Sequence, residues 1–442
     1  MAINKFLLRS ALAGSLGGLL FGFDTAVIAG TTYALKAFFQ LSPVQLGFTV
    51  SVALWGTVVG AMCAGAIGQR IGSRATLRVL ALFYVFSALG CALGSDWSVF
   101  LIARFAGGLA IGGSSVLGPV YIAELAPPKY RGRLVGLFQV HIVIGILLAY
   151  FSNFSIATLR MGRSEWRWDF GVSAIPAVLF MLMLLGIPHS PRWLATKGRI
   201  EDAWKTLVQL GTLEPEAELE AIVASIHMDS TSNAEPLFKR RYYLPVLLTI
   251  TLAAFSQLSG INAVLYYLND IFVSAGFSRL SGSLQAVAVG AVNLAATLLA
   301  MTLIDLIGRK ALLLIGCVGM TLGLSSIAVV FVTGRWHGCL IFFVTGYTAS
   351  FALSSGSVLW VYMSEIFPTC VRAKGQALGS TVVWITNGVI SLLFPILAAR
   401  SPSLPFLFFA TMMAAQFFVT LLFFPETKGL SLEALQEKLS LN

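Results

Sequence analysis

A run of uncharged polar side chains interrupts one long apolar segment of this sequence. The segment extends from about residue 244 to about residue 275, which is long enough to cross a bilayer, since the hydrocarbon core needs roughly 20 residues of helix. Gly260 weakens the helix in its middle. Amides and hydroxyls there are costly unless they face a partner or a wet cavity. Because amides both donate and accept hydrogen bonds, the pattern favours a neutral, hydroxyl-rich ligand over simple ties between helices. The polar residues are Gln257, Ser259, Asn262, Tyr266 and Tyr267.

Two charged residues, Asp24 and Arg104, also lie within apolar segments. A rise of about 1.5 Å per residue places Asp24 ~20 Å and Arg104 ~22 Å from the same face of the membrane. At a common depth the two can form an ion pair. Since a carboxylate inside a membrane must be paired or protonated, we expect a proton switch in which Asp24 binds Arg104 when ionised and leaves it when protonated. A permanent structural ion pair is the alternative.

The composition defines an integral membrane protein. Of the 442 residues, 57% are hydrophobic and 11% are charged, whereas soluble domains have about 25% charged residues. The five cysteines are scattered, which argues against a disulfide framework and against a metal site. We expect an all-α fold of about twelve transmembrane helices. The apolar runs are roughly 11–35, 46–68, 76–94, 98–123, 133–154, 169–187, 244–275, 283–304, 311–333, 338–363, 374–398 and 404–424.

The basic residues indicate how the chain crosses the membrane. Most of the 29 Lys and Arg residues lie near the two termini and in every second loop, which predicts that both termini are cytoplasmic. The net charge of +10 is therefore a topology signal, and we expect no nucleic-acid partner. The long polar segment 189–241 contains short amphipathic patterns, which predict helices lying on the membrane surface.

An internal repeat divides the chain into two halves. The stretch Tyr121–Arg131 matches Tyr362–Arg372, the Gly72 loop matches the Gly308 loop, and Pro188 matches Pro425. All three pairs are separated by about 240 residues, as expected for two six-helix halves that enclose a substrate near the middle of the membrane. The predicted domains are 1–188 (first half), 189–241 (cytoplasmic linker), 242–424 (second half) and 425–442 (cytoplasmic tail).

The repeated motifs also predict a gate of ion pairs on the cytoplasmic side. Glutamates at the ends of two helices are each followed by an arginine seven residues later. Together with charged residues of the neighbouring loops they can hold the two halves together and separate as the halves rock. The predicted gate residues are Arg74, Glu124, Arg131, Asp305, Arg309, Glu365 and Arg372.

Seven motifs in order resemble the sugar porter family of the major facilitator superfamily over essentially the full length. They are GFDTAVIAGT (22–31), YIAELAPPKYRG (121–132), PHSPRW (188–193), QLSGINAVLYY (257–267), DLIGRK (305–310), WVYMSEIFPTCVRAKG (360–375) and PETKG (425–429). The resemblance implies the major facilitator fold. It also implies a sugar site formed by Gln139, Gln257, Asn262, Tyr266, Asn293, Trp360 and Asn387.

The sequence departs from the family pattern at several positions. Ser256 replaces the first of two adjacent glutamines, and Val383 replaces a polar residue before Trp384. Fewer hydrogen bonds are then available, which points to a pentose, a deoxysugar, a cyclitol or another ligand less polar than glucose. Gln69 and Ser73 replace a common Asp and Arg, which predicts a weaker gate in the first half.

The resemblance implies a secondary transporter that moves a monosaccharide by alternating access, with Asp24 favouring proton symport. A facilitative uniporter and a transporter-like sugar sensor are the alternatives. We expect neither an enzyme nor a cofactor, because paired carboxylates, activated nucleophiles and nucleotide-binding loops are missing from the sequence. The expected partners are a small sugar, a proton and the lipid bilayer, and the expected form is a monomer in the cell membrane.

Overall fold

The computed structural model describes residues 4–127, 130–231, 236–368 and 371–428. Within these ranges twelve helices are long and apolar enough to cross a membrane. Most of the predicted tail, from residue 429 onward, lies outside them. The helices are α1 (Lys5–Phe38), α2 (Pro43–Ile71), α3 (Ser73–Leu93), α4 (Trp97–Leu125), α5 (Arg131–Thr158), α6 (Glu165–Leu185), α7 (Arg240–Tyr266), α8 (Arg279–Ile307), α9 (Arg309–Thr333), α10 (His337–Glu365), α11 (Arg372–Arg400) and α12 (Leu404–Phe423). The all-α membrane fold predicted from hydropathy is therefore confirmed.

Two of the later spans are interrupted near their middles. In α7 the helix Tyr243–Leu258 ends, a second piece begins at Ile261, and a third piece, Leu268–Ser274, follows the span. In α10 the pieces Leu340–Leu353 and Ser355–Glu365 meet at Ser354. A break at this depth requires polar partners for the freed backbone groups.

Three short helices form the linker between α6 and α7. They span Pro191–Thr196, Ile200–Gln209 and Pro215–Thr231. The first begins at Ser190, whose hydroxyl accepts a hydrogen bond from the backbone N–H of Trp193 at 3.3 Å. This is an N-cap followed by a proline at the first helical position, a standard helix start. The linker is therefore helical, as its amphipathic pattern predicts.

Contacts divide the chain into two compact units. The first comprises the described residues of Met1–Asp24, Trp55–Ala149 and Trp166–Asn233. The second comprises those of Thr25–Leu54, Tyr150–Glu165 and Ala234–Asn442. The second unit thus contains α7–α12 together with the later part of α1, the start of α2 and the end of α5. The division into halves at 188 and 242 expresses the sequence repeat and stays a prediction.

Close helix packing in the first unit fixes the position of α1 beside α5. A Cβ added to Gly22 would overlap the backbone of Ile142, and one added to Gly145 would overlap the backbone of Leu19. Small residues at such crossings allow membrane helices to approach closely. Asp24 lies half a turn beyond Gly22, so this contact determines which way its side chain projects.

Candidate functional site

The two intramembrane charges meet in the first unit. Arg104 Nη1 donates a hydrogen bond to Asp24 Oδ1 at 2.6 Å. The Arg104 side chain is 3% exposed and that of Asp24 15% exposed. The guanidinium also lies over the Phe170 ring, 5.6 Å from its centroid, while Arg104 Nε has no hydrogen-bond partner. One N–H···O contact thus carries the ion pair, and its carboxylate is the more accessible partner.

The break in α7 places two amides side by side in the second unit. Gly260 has φ 79°, a conformation that glycine adopts without the steric cost borne by other residues. The carbonyl of Ser259 accepts from the Tyr347 hydroxyl at 2.8 Å, and the Ser259 hydroxyl accepts from the Ile261 N–H at 3.3 Å. Side chains therefore provide the hydrogen-bond partners of the backbone groups at the break. Across it, Asn262 Nδ2 donates to Gln257 Oε1 at 2.8 Å.

A second hydrogen-bond chain connects α7 with α11. Asn387 Nδ2 donates to the Tyr266 hydroxyl at 3.2 Å, and Ser391 Oγ donates to Asn387 Oδ1 at 3.1 Å. The next tyrosine, Tyr267, donates to the Ser391 carbonyl at 3.2 Å and stacks on Phe394. Four of the seven residues predicted for the sugar site, Gln257, Asn262, Tyr266 and Asn387, therefore belong to two hydrogen-bonded pairs.

The remaining predicted sugar-site residues lie on other helices. Asn293 on α8 is buried, whereas Trp360 on α10 is 42% exposed. Gln139 lies on α5 in the first unit and is half-buried. Ser256, the substitution noted in the sequence, is buried and accepts a hydrogen bond from Gln257 Nε2 at 3.2 Å. The amide of Gln257 is thus held from both sides, by Ser256 and by Asn262.

Sequence reasoning missed an ionic cluster at the far end of α1. Asp270, in the piece that follows α7, hydrogen-bonds to Thr32 and faces the positive charges of Lys36 and Arg279. The Arg279 guanidinium lies 3.5 Å from the centroid of the Tyr33 ring. All of these residues belong to the second unit. An acidic residue within the apolar run 244–275 was the available signal.

In the first unit, the loop between α2 and α3, the end of α4 and the segment after α6 form what we call the first loop cluster. Here the Tyr121 hydroxyl donates to the Pro188 carbonyl at 2.8 Å. Glu124 interacts with the Ser190 hydroxyl and with the charge of Arg192. The His189 ring stacks on Trp193, with centroids 4.9 Å apart, and its Nδ1 is buried without a hydrogen-bond partner. The cluster consists of Gln69, Gly72, Ser73, Arg74, Tyr121, Glu124, Pro188, His189 and Ser190.

The second loop cluster occupies the repeat-related positions of the second unit. Arg309 bonds to Glu365 at 2.8 Å and to Asp305 at 3.1 Å. Thr427 Oγ1 donates to the other oxygen of Glu365 at 2.6 Å. The Tyr362 hydroxyl donates to the Pro425 carbonyl at 3.3 Å. The cluster consists of Asp305, Gly308, Arg309, Lys310, Tyr362, Glu365, Pro425, Glu426 and Thr427.

A carboxylate caps the first turn of α9 in the second loop cluster. Glu426 accepts from the backbone N–H groups of Arg309 at 2.9 Å and of Lys310, Thr427 and Lys428 at 3.0 Å each. Burial raises the pKa of Glu426, but these four hydrogen bonds outweigh it, and the net effect lowers the pKa. In the first cluster, burial lowers the pKa of His189, and the charges of Arg74, Arg199 and Arg78 lower it further.

The predicted gate pairs the charges at the ends of two helices with charged residues of the neighbouring loops. Glu365 pairs with Arg309, and Arg372 donates to the Phe367 carbonyl at 3.3 Å. Arg131, seven residues after Glu124, is exposed. Arg309 begins α9 directly beside the end of α10, whereas Arg131 and Arg372 are the first residues of α5 and α11.

Twelve membrane helices, a sequence repeat and polar groups held at breaks within helices define a membrane transporter of the major facilitator superfamily. Residues 10–439 match the family model described as "Sugar (and other) transporter". The chain belongs to this sugar transporter family.

Named relatives cover nearly the whole chain. This chain is 36% identical over 441 residues to the arabinose-proton symporter of Bacillus subtilis, and the match covers 98% of this chain and 95% of that protein. It is 34% identical over 474 residues to the D-xylose-proton symporter of Escherichia coli, with coverage of 98% and 96%. Among solved structures, an inward-open conformation of the E. coli xylose transporter XylE matches with a TM-score of 0.88 and 33% identity, covering 98% of this chain and 100% of that chain.

Proposed function

We propose that this protein moves a monosaccharide across the cell membrane by alternating access, in symport with a proton. The observation that carries the proposal is the Asp24–Arg104 ion pair of 2.6 Å within the membrane. A carboxylate there must be paired or neutral, so protonation of Asp24 removes the partner of Arg104. Relatives named as proton symporters of arabinose and xylose support the same reading.

The proposed sugar site uses amides and hydroxyls rather than charges. Paired amides such as Gln257 and Asn262 can donate to one sugar hydroxyl and accept from another. The exposed face of Trp360 can pack against the C–H surface of a sugar ring. With Ser256 and Val383 in place of longer polar side chains, a pentose is the favoured substrate. The full proposed set is Gln139, Gln257, Asn262, Tyr266, Asn293, Trp360 and Asn387.

We propose further that the two loop clusters face the cytoplasm, as do both termini, and that they act as gates. Their Lys and Arg residues follow the positive-inside bias. A membrane-impermeant maleimide applied to intact cells tests this orientation. The exposed Cys339 at the start of α10 should then react in intact cells. Failure to label Cys339 until the cells are broken would reverse the proposed orientation.

Uptake by proteoliposomes tests the transport proposal. Radiolabelled D-xylose, L-arabinose, D-glucose and myo-inositol should be compared with and without an inward proton gradient. We expect gradient-driven accumulation by the wild-type protein and equilibration without accumulation by Asp24→Asn.

The matched control is Asp96→Asn, which changes the same charge at an exposed helix cap and should accumulate sugar normally. Equilibration by wild type and both variants alike would indicate a uniporter. No uptake of any sugar would overturn the transport proposal.

A further inference from the structure

Ser391 makes an unusual contact for a serine in a helix. Buried Ser and Thr side chains in helices commonly donate to the carbonyl four residues earlier, as Thr348 does at 2.8 Å and Thr49 does at 2.7 Å. Ser391 instead donates to a side chain, the Asn387 amide oxygen, at 3.1 Å. Both residues are at most 1% exposed. The hydroxyl is therefore used to hold Asn387.

This contact fixes which way the Asn387 amide points. Once Oδ1 accepts the proton of Ser391, Nδ2 is the atom that faces Tyr266, and it donates to the phenolic oxygen at 3.2 Å. A phenol has one proton and can both accept and donate. Because its oxygen accepts from Asn387, the Tyr266 hydroxyl does not use its own proton on Asn387 and can donate that proton to another acceptor. Three residues thus form a relay of hydrogen bonds with one direction.

The backbone of Ser391 is held independently of its hydroxyl. Tyr267 donates to the Ser391 carbonyl at 3.2 Å, and its ring stacks on Phe394 with centroids 4.9 Å apart and planes 11° apart. Tyr267 is 1% exposed. Removal of the Ser391 hydroxyl should therefore leave the contact between α7 and α11 in place and change only the direction of the relay.

We propose that Ser391 is a positioning residue for the sugar site: through Asn387 it sets Tyr266 as a hydrogen-bond donor to one hydroxyl of the sugar. This inference rests on the proposed function, since it assumes that Tyr266 contacts the substrate. The hydroxyl of Ser391 itself does not touch the sugar. It selects between two orientations of an amide, and so between a donor and an acceptor at Tyr266.

The test takes as the parent sugar whichever of D-xylose, L-arabinose, D-glucose and myo-inositol the wild type accumulates most. It measures KM and kcat of uptake for this parent and for deoxy analogues that each lack one hydroxyl. Ser391→Ala should raise KM for the parent about three- to tenfold, the value of one hydrogen bond, with kcat within about twofold. For one analogue, which lacks the hydroxyl served by Tyr266, wild type, Ser391→Ala and Tyr266→Phe should have the same KM. Ser391→Thr, which keeps the hydroxyl, should restore the wild-type pattern.

Three results would overturn the inference. An unchanged KM in Ser391→Ala would show that the relay does not contribute to sugar binding. A KM raised by the same factor for every analogue would show a structural role. An equal rise in KM in Ser391→Thr, with an unaltered melting temperature, would show that the hydroxyl of residue 391 does not set KM. If the wild-type protein takes up no parent sugar, the proposed function fails and this inference with it, whereas normal wild-type uptake isolates a failure to Ser391.

Discussion

The two loop clusters share one framework and differ in their charges. In both, a tyrosine donates to a proline carbonyl and a hydroxyl residue bonds to a helix-end glutamate. In the second cluster Arg309, Asp305 and Glu426 complete a network of ion pairs and a helix cap. The repeat-related residues of the first cluster are Ser73, Gln69 and His189. The repeat therefore preserves these two hydrogen bonds, while Gln69, Ser73 and His189 occupy the positions of the charged residues Asp305, Arg309 and Glu426.

The consequence is that the same loop is held in two ways. The second cluster relies on charge-assisted hydrogen bonds, which are roughly twice as strong as neutral ones. The first relies on stacking of His189 on Trp193 and on a hydrogen bond from Trp193 Nε1 to the Gln69 carbonyl at 3.2 Å. If the clusters act as gates, the second should be the stronger gate.

Removal of Arg309 should have the largest effect. Arg309→Ala leaves Glu365 and Asp305 without their cation, and we expect a loss of about 2 kcal/mol in stability because a half-buried carboxylate loses its partner. The matched control is Ser73→Ala at the repeat-related position, which should change stability by less than about 0.5 kcal/mol. Thermal unfolding in detergent measures both. Equal losses would contradict the contrast between the clusters.

Restoring the missing cap should have a smaller effect of opposite sign. His189→Glu places a carboxylate at the first turn of α3, where Glu426 stands relative to α9, and should stabilise the protein by about 0.5–1 kcal/mol. His189→Gln separates capping from the simple removal of a histidine. A gain of the same size in His189→Gln would show that burial of the imidazole, and not a missing anion, was the cost.

A pH dependence should provide the smallest effect. The pKa of His189 is lowered on folding, by burial first and then by Arg74, Arg199 and Arg78. Below about 6.5 the unfolded chain therefore binds a proton that the folded protein does not. The melting temperature of wild type should fall relative to His189→Gln as pH drops from 7 to 5, and the two should run parallel above 7. Parallel curves over the whole range would show that His189 keeps its ordinary pKa.

Hydropathy and depth predicted much of this molecule. The helical spans lie within six residues of the apolar runs, since the requirement for about 20 apolar residues leaves little freedom. The exception is α7, whose run 244–275 also includes the separate piece Leu268–Ser274. The common depth of Asp24 and Arg104 follows from the same counting, and the structure brings them into contact. The break in α7 falls at Gly260, where polar residues and a glycine coincide.

The direction in which each side chain points around its helix axis could not be predicted from the sequence. The position of Asp270 in the sequence predicts its depth, near one end of α7. It does not predict that Asp270 faces Thr32 of α1. The repeated motif of Glu and Arg indicates that Glu365 can pair with Arg309, but not that Thr427 donates to the other carboxylate oxygen of Glu365. Ser391 has no motif at all, since its contact with Asn387 depends on a side-chain rotamer that no composition or spacing reveals.

The turn at Gly260 has a consequence for how this family can vary. A Cβ on Gly260 would overlap the ring of Phe409 on α12, and its φ of 79° disfavours every side chain except, to a degree, Asn and Asp. A substitution at 260 therefore needs a smaller residue at 409 in the same lineage. The two positions, separated by most of the second half of the chain, should covary in evolution as a single character.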